Sequence, residues 1–185
     1  MQMSSVPLTK FKHRLQEVDE IVAARDAICP TGAGRPARQK GAAVISGGTV
    51  LLSALLEGFL EELYELAVDE LYQHIPVGDR TELKEHTSRR NNNANVHQVN
   101  TLYFYLGVPW VMSHRKMRWQ KCSNAKVQER LRNLSKARNQ LAHGGSRIVR
   151  KQTLTAWRDF AERLASKLDE IAADRVEAET GRRPW

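Results

Sequence analysis

Apolar residues recur along this chain at intervals of three and four, and hardly anywhere at intervals of two. That spacing belongs to a helix of 3.6 residues per turn, so the sequence predicts helices and gives poor support for strands. The longest instance is Leu52, Leu56, Phe59, Leu60, Leu63, Leu66, Ala67 and Leu71, the apolar face of a helix expected from the loop Thr31–Pro36 to about His74. A face of that length must find other helices to cover it. Phe11, Leu15, Val18 and Val22 mark a first helix that ends before Pro30. Val99, Leu102, Tyr103 and Leu106 mark a short one, closed by Gly107 and Pro109. Val127, Leu131, Leu134 and Leu141 mark a fourth, from about Asn124 to His143, stopped at Gly144-Gly145. Trp157, Ala161, Leu164, Leu168 and Ile171 mark the last. The expected fold is all-α: a bundle of about five helices with a long second one. Its expected organisation is an N-terminal helix packed on the core (1–30), a helical domain (37–178) and a flexible tail (179–185). The segment Arg89–Asn95, with Asn91-Asn92-Asn93, reads as a polar loop.

Composition narrows the class. With 41% hydrophobic and 27% charged residues in 185, the chain can bury a core and is no disordered tail. Cys29 and Cys122 make no disulfide framework and do not sit at metal-ligand spacing. Met1 to Lys10 is polar and carries Pro7, unlike a secretory signal. The apolar stretch Ala42–Leu56 is broken by Ser46, Gly47, Gly48 and Thr49 and is short for a membrane span of about 20 residues. The expectation is a soluble cytoplasmic protein that does not engage a membrane.

The net charge of +8 is unevenly spread. From His114 to Lys151 there are twelve basic residues and one acid, Glu129, a local charge of +11 that leaves −3 for the rest. Such a concentration is the footprint of a protein that meets phosphates. Arg115, Lys116, Arg118, Lys121 and Arg147 are the candidate RNA contacts, and Trp119 among them could stack on an unpaired base. A solvated basic face, with Trp119 packed inward, is the alternative. The second helix carries the opposite sign: Glu57, Glu61, Glu65 and Asp69 step by four. The last three suit an ordinary solvated face. Glu57 lies at the edge of the apolar sector, where a neighbouring helix could offer it a partner.

The stretch that bears on chemistry is Arg138-Asn139-Gln140-Leu141-Ala142-His143. Arg138 falls in the apolar stripe, seven residues after Leu131, four after Leu134 and three before Leu141. A guanidinium there is costly unless it is paired or opens into a cleft. Asn139 and His143 share a neighbouring face, whereas Arg138 and His143 diverge by roughly 140° on a regular helix. Convergence therefore requires a distorted helix end, a long reach by the arginine, or a second subunit. These residue types suit RNA cleavage. Imidazole can serve as base or acid near neutrality, and a planar arginine can give two hydrogen bonds to a phosphoryl group. No metal or other cofactor is suggested, because the six histidines are scattered without HxxxH or CxxC groupings. The competing reading is structural: His143 caps a helix end and Arg138 is a buried partner for Glu57.

The segment Lys136–Gly144 resembles the RxxxxH signature of the HEPN superfamily, in which a polar residue, often Asn, follows the Arg. Leu51–Phe59, with Glu57 inside an apolar run, is similar to the earlier helix of RiboL-PSP-type HEPN nucleases. The two motifs and the helices between them span roughly residues 44–175. The resemblance implies an all-helical domain that pairs as a homodimer, with both RxxxxH motifs facing one cleft. It also implies a metal-independent endoribonuclease that leaves cyclic phosphate ends, often in a toxin–antitoxin or anti-phage system with a partner protein. Carried over, Arg138 binds the phosphate, Asn139 assists, His143 is the general acid/base and Glu57 orients Arg138. A leading helix and the Arg89–Asn95 loop depart from a minimal domain of this kind. Two other readings stand beside the enzyme: a non-catalytic RNA- or nucleotide-binding module, and a helical interaction partner.

Overall fold

A computed structural model describes residues 3–88, 93–144 and 148–185, with backbone alone at 86–88. Six helices follow in order: α1 Val6–Ile28, α2 Arg35–Leu71, α3 Val77–Ser88, α4 Val96–Tyr105, α5 Asn124–Ala142 and α6 Lys151–Thr180. A 3-10 turn at Val111–Ser113 lies between α4 and α5, and the described residues form no strand. The all-α expectation holds, with one helix more than the apolar spacing marks.

α2 is the axis of the bundle. Its 37 residues make a rod of about 55 Å. Leu52, Leu56, Phe59, Leu60, Leu63, Ala67 and Leu71 are all buried, as their spacing requires, while Leu66 is only half-buried. Leu55, Tyr64 and Val68 are buried as well, so the covered sector is wider than one stripe. That follows from the packing: α1, α3, α4, α5 and α6 all meet α2. By length and composition α2 could cross a membrane, yet half of its most apolar window is buried inside the bundle. Here it serves as a core helix.

The tandem glycines of α2 have different roles. A Cβ at Gly48 would lie 2.8 Å from Cγ2 of Ile21 on α1 and 2.9 Å from Cδ2 of Leu154 on α6. Gly48 therefore lets three helices close on one point, which offsets the roughly 1 kcal/mol that glycine costs inside a helix. A Cβ at Gly47 meets nothing within 4 Å.

α3 is docked by charge. Its one half-buried leucine, Leu83, leaves little apolar surface. Arg80 and Lys84 instead reach Asp69 of α2 at 3.5 and 2.6 Å. Asp69, expected on a solvated face, is thus the anchor of a helix that apolar spacing does not mark. The segment 179–185, expected as a flexible tail, makes defined contacts after Gly181 turns the chain back at φ +71°. Arg182 pairs with Glu70, Arg183 with Asp174 and Glu177, and Trp185 Nε1 donates to Asp169 Oδ2 at 3.2 Å. The same oxygen accepts the Ser5 N–H at 3.4 Å, so both ends of the chain meet at one buried carboxyl. Arg89 to Asn92, most of the predicted polar loop, lie outside the described residues.

Gly48→Leu should destabilise the protein by about 1–3 kcal/mol through overpacking. Gly47→Ala should be neutral or stabilising by up to about 1 kcal/mol. Thermal unfolding followed by circular dichroism measures both, and equal effects would refute the assigned difference.

Candidate active site

α5 is built to present its last turn. Ser123 caps its start by accepting the Lys126 N–H, and Val127, Leu131, Leu134 and Ala137 bury one face. Arg138 continues that face but is only half-buried, so the stripe opens toward solvent where the guanidinium emerges. The helix ends at once after the motif. His143 occupies the C-cap, where its N–H donates to Asn139 O at 3.1 Å. Gly144 takes a left-handed φ of +74°, and an added Cβ there would meet nothing within 4 Å. The glycine is needed for its backbone angle, not for space. The imidazole of His143 is exposed and makes no hydrogen bond among the described residues.

Around Arg138 the structure gathers three other groups. Its Nη1 donates to Asn139 Oδ1 at 3.3 Å. The same oxygen accepts from Asn93 Nδ2 at 2.7 Å, across 46 positions of sequence. Asn93 is in turn held by Asn95, whose Nδ2 donates to Asn93 O and whose Oδ1 caps α4 by accepting the Gln98 N–H. From α2 comes Glu57, half-buried. Burial pushes its carboxyl above the ordinary range, and the positive charge of Arg138 partly opposes that push. Among the described residues Glu57 forms no ion pair, so the guanidinium acts on it through space. Arg138 is therefore held by a neutral amide and faced by a carboxylate, with most of its donors unused. One turn below, burial also raises the Glu61 carboxyl, and the charges of Glu57 and Glu65 add to the effect.

The structure brings Arg138, Asn139 and Glu57 together, and Asn93 is a neighbour that sequence alone did not single out. Its only advance signal was membership of an asparagine-rich loop. His143 meets this cluster through its N–H to the Asn139 carbonyl, and among the described residues no hydrogen bond joins its imidazole to Arg138.

The basic segment divides. Arg115, Arg118 and Lys121 are exposed and form no ion pair among the described residues. Lys116 is committed elsewhere: its ammonium bonds Glu170 at 2.9 Å and Asp174 at 2.5 Å, and the Asp174 bond leads in raising its pKa. Trp119 is half-buried, its ring 6.1 Å from that of Phe160 on α6. Lys116 and Trp119 thus fasten the loop to α6. Arg147 lies outside the described residues. No group of three His, Cys, Asp or Glu among the described residues is placed to hold a metal ion.

The family model for RiboL-PSP-HEPN matches residues 10–174, from within α1 to within α6. The chain belongs to the HEPN family. Comparison with curated proteins and with solved structures gives no match. HEPN domains are often ribonucleases, and the match takes in both Glu57 and the Arg138–His143 segment of this one. The leading helix, expected as a departure from a minimal HEPN domain, falls largely inside the matched span.

Glu57→Gln should change the pH dependence of stability in a defined direction. A carboxyl with a raised folded pKa favours folding below the ordinary carboxyl range, and that contribution is lost as pH rises through the folded value. The variant carries no such loss and also relieves Glu61. Relative to wild type its Tm should rise between about pH 4 and pH 7. A constant difference across that range would show that the charge is not penalised there.

Proposed function

We propose that this HEPN domain is a metal-independent endoribonuclease acting on single-stranded RNA. The observation that carries the reading is the state of Arg138, a half-buried guanidinium in an opening of the apolar face with no ion pair among the described residues. A cation kept in place but left with donors to spare is what a phosphate needs.

In the proposed reaction the ribose 2′-hydroxyl gives up its proton to a base and its oxygen bonds to the adjacent phosphorus. The P–O5′ bond breaks, and the 5′-oxygen leaves with a proton supplied by an acid. The products are a 2′,3′-cyclic phosphate and a free 5′-hydroxyl. His143 is the general acid/base, Arg138 holds the phosphoryl oxygens as charge develops, and Asn139 steadies the guanidinium. Glu57 sets the side of α5 on which Arg138 stays, and Asn93 positions Asn139.

On a regular helix Arg138 and His143 diverge by roughly 140°, so a homodimer with both motifs facing one cleft is part of the proposal. Phosphates would be drawn in by Arg115, Arg118 and Lys121, whose charges are unspent among the described residues. A cytoplasmic toxin–antitoxin or anti-phage setting, with an inhibitory partner protein, is the context that suits such an enzyme.

The test is cleavage of unstructured RNA in EDTA, with product ends identified by mass spectrometry. His143→Ala and Arg138→Ala should each lower the rate by about 10²–10⁴-fold while dimer mass by light scattering is unchanged. Arg138→Lys should recover little, since an ammonium lacks the planar fork. Intact RNA after incubation with folded, dimeric wild type would overturn the proposal. The unspent basic loop also favours a second reading, a non-catalytic RNA-binding module. It requires that wild type bind RNA without cutting it and that His143→Ala bind as tightly.

A further inference from the structure

The most exposed aromatic residues of the molecule are neighbours that play no part in the site described above. Trp110 is 74% exposed and Phe104 63%. With Tyr105 and Pro109 they form the apolar side of a groove of about 230 Å³ on α4, whose polar side is His97, Asn100 and Thr101.

Trp110 is held out by its backbone. It adopts the left-handed conformation at φ 58° and ψ 39°, which bulky residues rarely enter. The segment that holds it is well anchored on both sides. Val108 N donates to Tyr103 O at 2.8 Å, Met112 N to Asn100 Oδ1 at 3.0 Å, and Ser113 N to Trp110 O at 2.8 Å. Leu106, Val111 and Met112 are buried. Arg175 of α6 donates to Leu106 O at 2.9 Å. Rigid anchoring that projects an indole into solvent gains nothing for the core. It is the arrangement of a preorganised stacking platform.

We propose that this groove takes an unpaired base of single-stranded RNA, stacked on Trp110 and Phe104. The groove runs along α4, which begins immediately after Asn93–Asn95, the segment that touches Asn139. Ten residues of helix give a track of about 15 Å from the candidate site to the aromatic end. Exposed Arg115 and Arg118 follow Trp110 by five and eight residues in the chain, cations of the kind that track a nucleic-acid backbone leading to a stacked base. A protein partner fits less well, because the exposed apolar area is narrow, little more than the two rings of Phe104 and Trp110. Since every base has a π-face, the subsite favours unstructured RNA over duplex without reading a sequence. The inference rests on the ribonuclease reading only in requiring that RNA reach this face.

The test uses His143→Ala protein, so that RNA stays intact, and a labelled oligouridylate whose binding is followed by fluorescence anisotropy. Adding Trp110→Ala, or Trp110→Asn which suits the left-handed backbone, should weaken binding roughly ten-fold or more. The slope of log affinity against log salt should not change, because no phosphate contact is lost. Trp110→Phe should restore most of the affinity. An oligomer with abasic riboses should bind as weakly to the parent as uridylate binds to Trp110→Ala, with no further loss on combining the two. Unchanged affinity in Trp110→Ala overturns the inference and leaves the ribonuclease reading intact. A change of oligomeric state in that variant, measured by light scattering, also overturns it, since the groove is then a protein interface. Failure of the parent to bind RNA even at low salt overturns both.

Discussion

Burial of the leucine face of α2 is the constraint on which the remaining structure depends. A rod of 37 residues with that much apolar surface is unstable in water unless neighbours cover it on several sides. α1, α5 and α6 supply most of the cover, and Gly48 sets how closely α1 and α6 can approach. The position of α5 is a result of this packing. Its Val127–Leu131–Leu134 stripe seats against the bundle, and the next residue in register is Arg138. Glu57 is carried to the same place by α2. The candidate site is therefore a by-product of helix packing: one interface, continued one turn further, exchanges leucines for a cation and a carboxylate.

At that point the electrostatics are deliberately incomplete. A direct ion pair would have neutralised both groups and used the donors of the guanidinium. Instead a neutral amide, Asn139, takes one donor, and Asn93 secures that amide from another part of the chain. Glu57 keeps a raised pKa because burial outweighs the pull of the arginine. The tension is modest, local and open on one side. An anion arriving on the free side of Arg138 meets a cation that needs little rearrangement to receive it.

Much of this was legible from residue order, for identifiable reasons. The five helices with apolar stripes were visible because burial imposes a period. α3 was not, because ion pairs to Asp69 dock it, and charges on a surface helix carry no period. Its start was hinted at only by Pro76 and by Asp79 in the first turn. Arg138 and Glu57 were readable as polar residues at the wrong place on a wheel. Asn93 was not, since a contact across 46 positions depends on how a loop is carried by its flanking helices. Lys116 and Trp119 show the complementary difficulty. Composition marks a residue as suited to RNA, but carboxylates and a phenylalanine on α6 decide how it is used.

Gly107 carries two restrictions at once. Its φ of +82° disfavours any side chain, and an added Cβ would lie 2.9 Å from Nε of Arg175. That nitrogen is the one bonded to the Leu106 carbonyl, so even a methyl group would unhook the loop from α6. The glycine and the arginine, 68 positions apart, should thus change together or not at all among related sequences. Where that couple is lost, the outward-turned indole three residues on should be lost with it, a covariation that can be sought without any biochemistry.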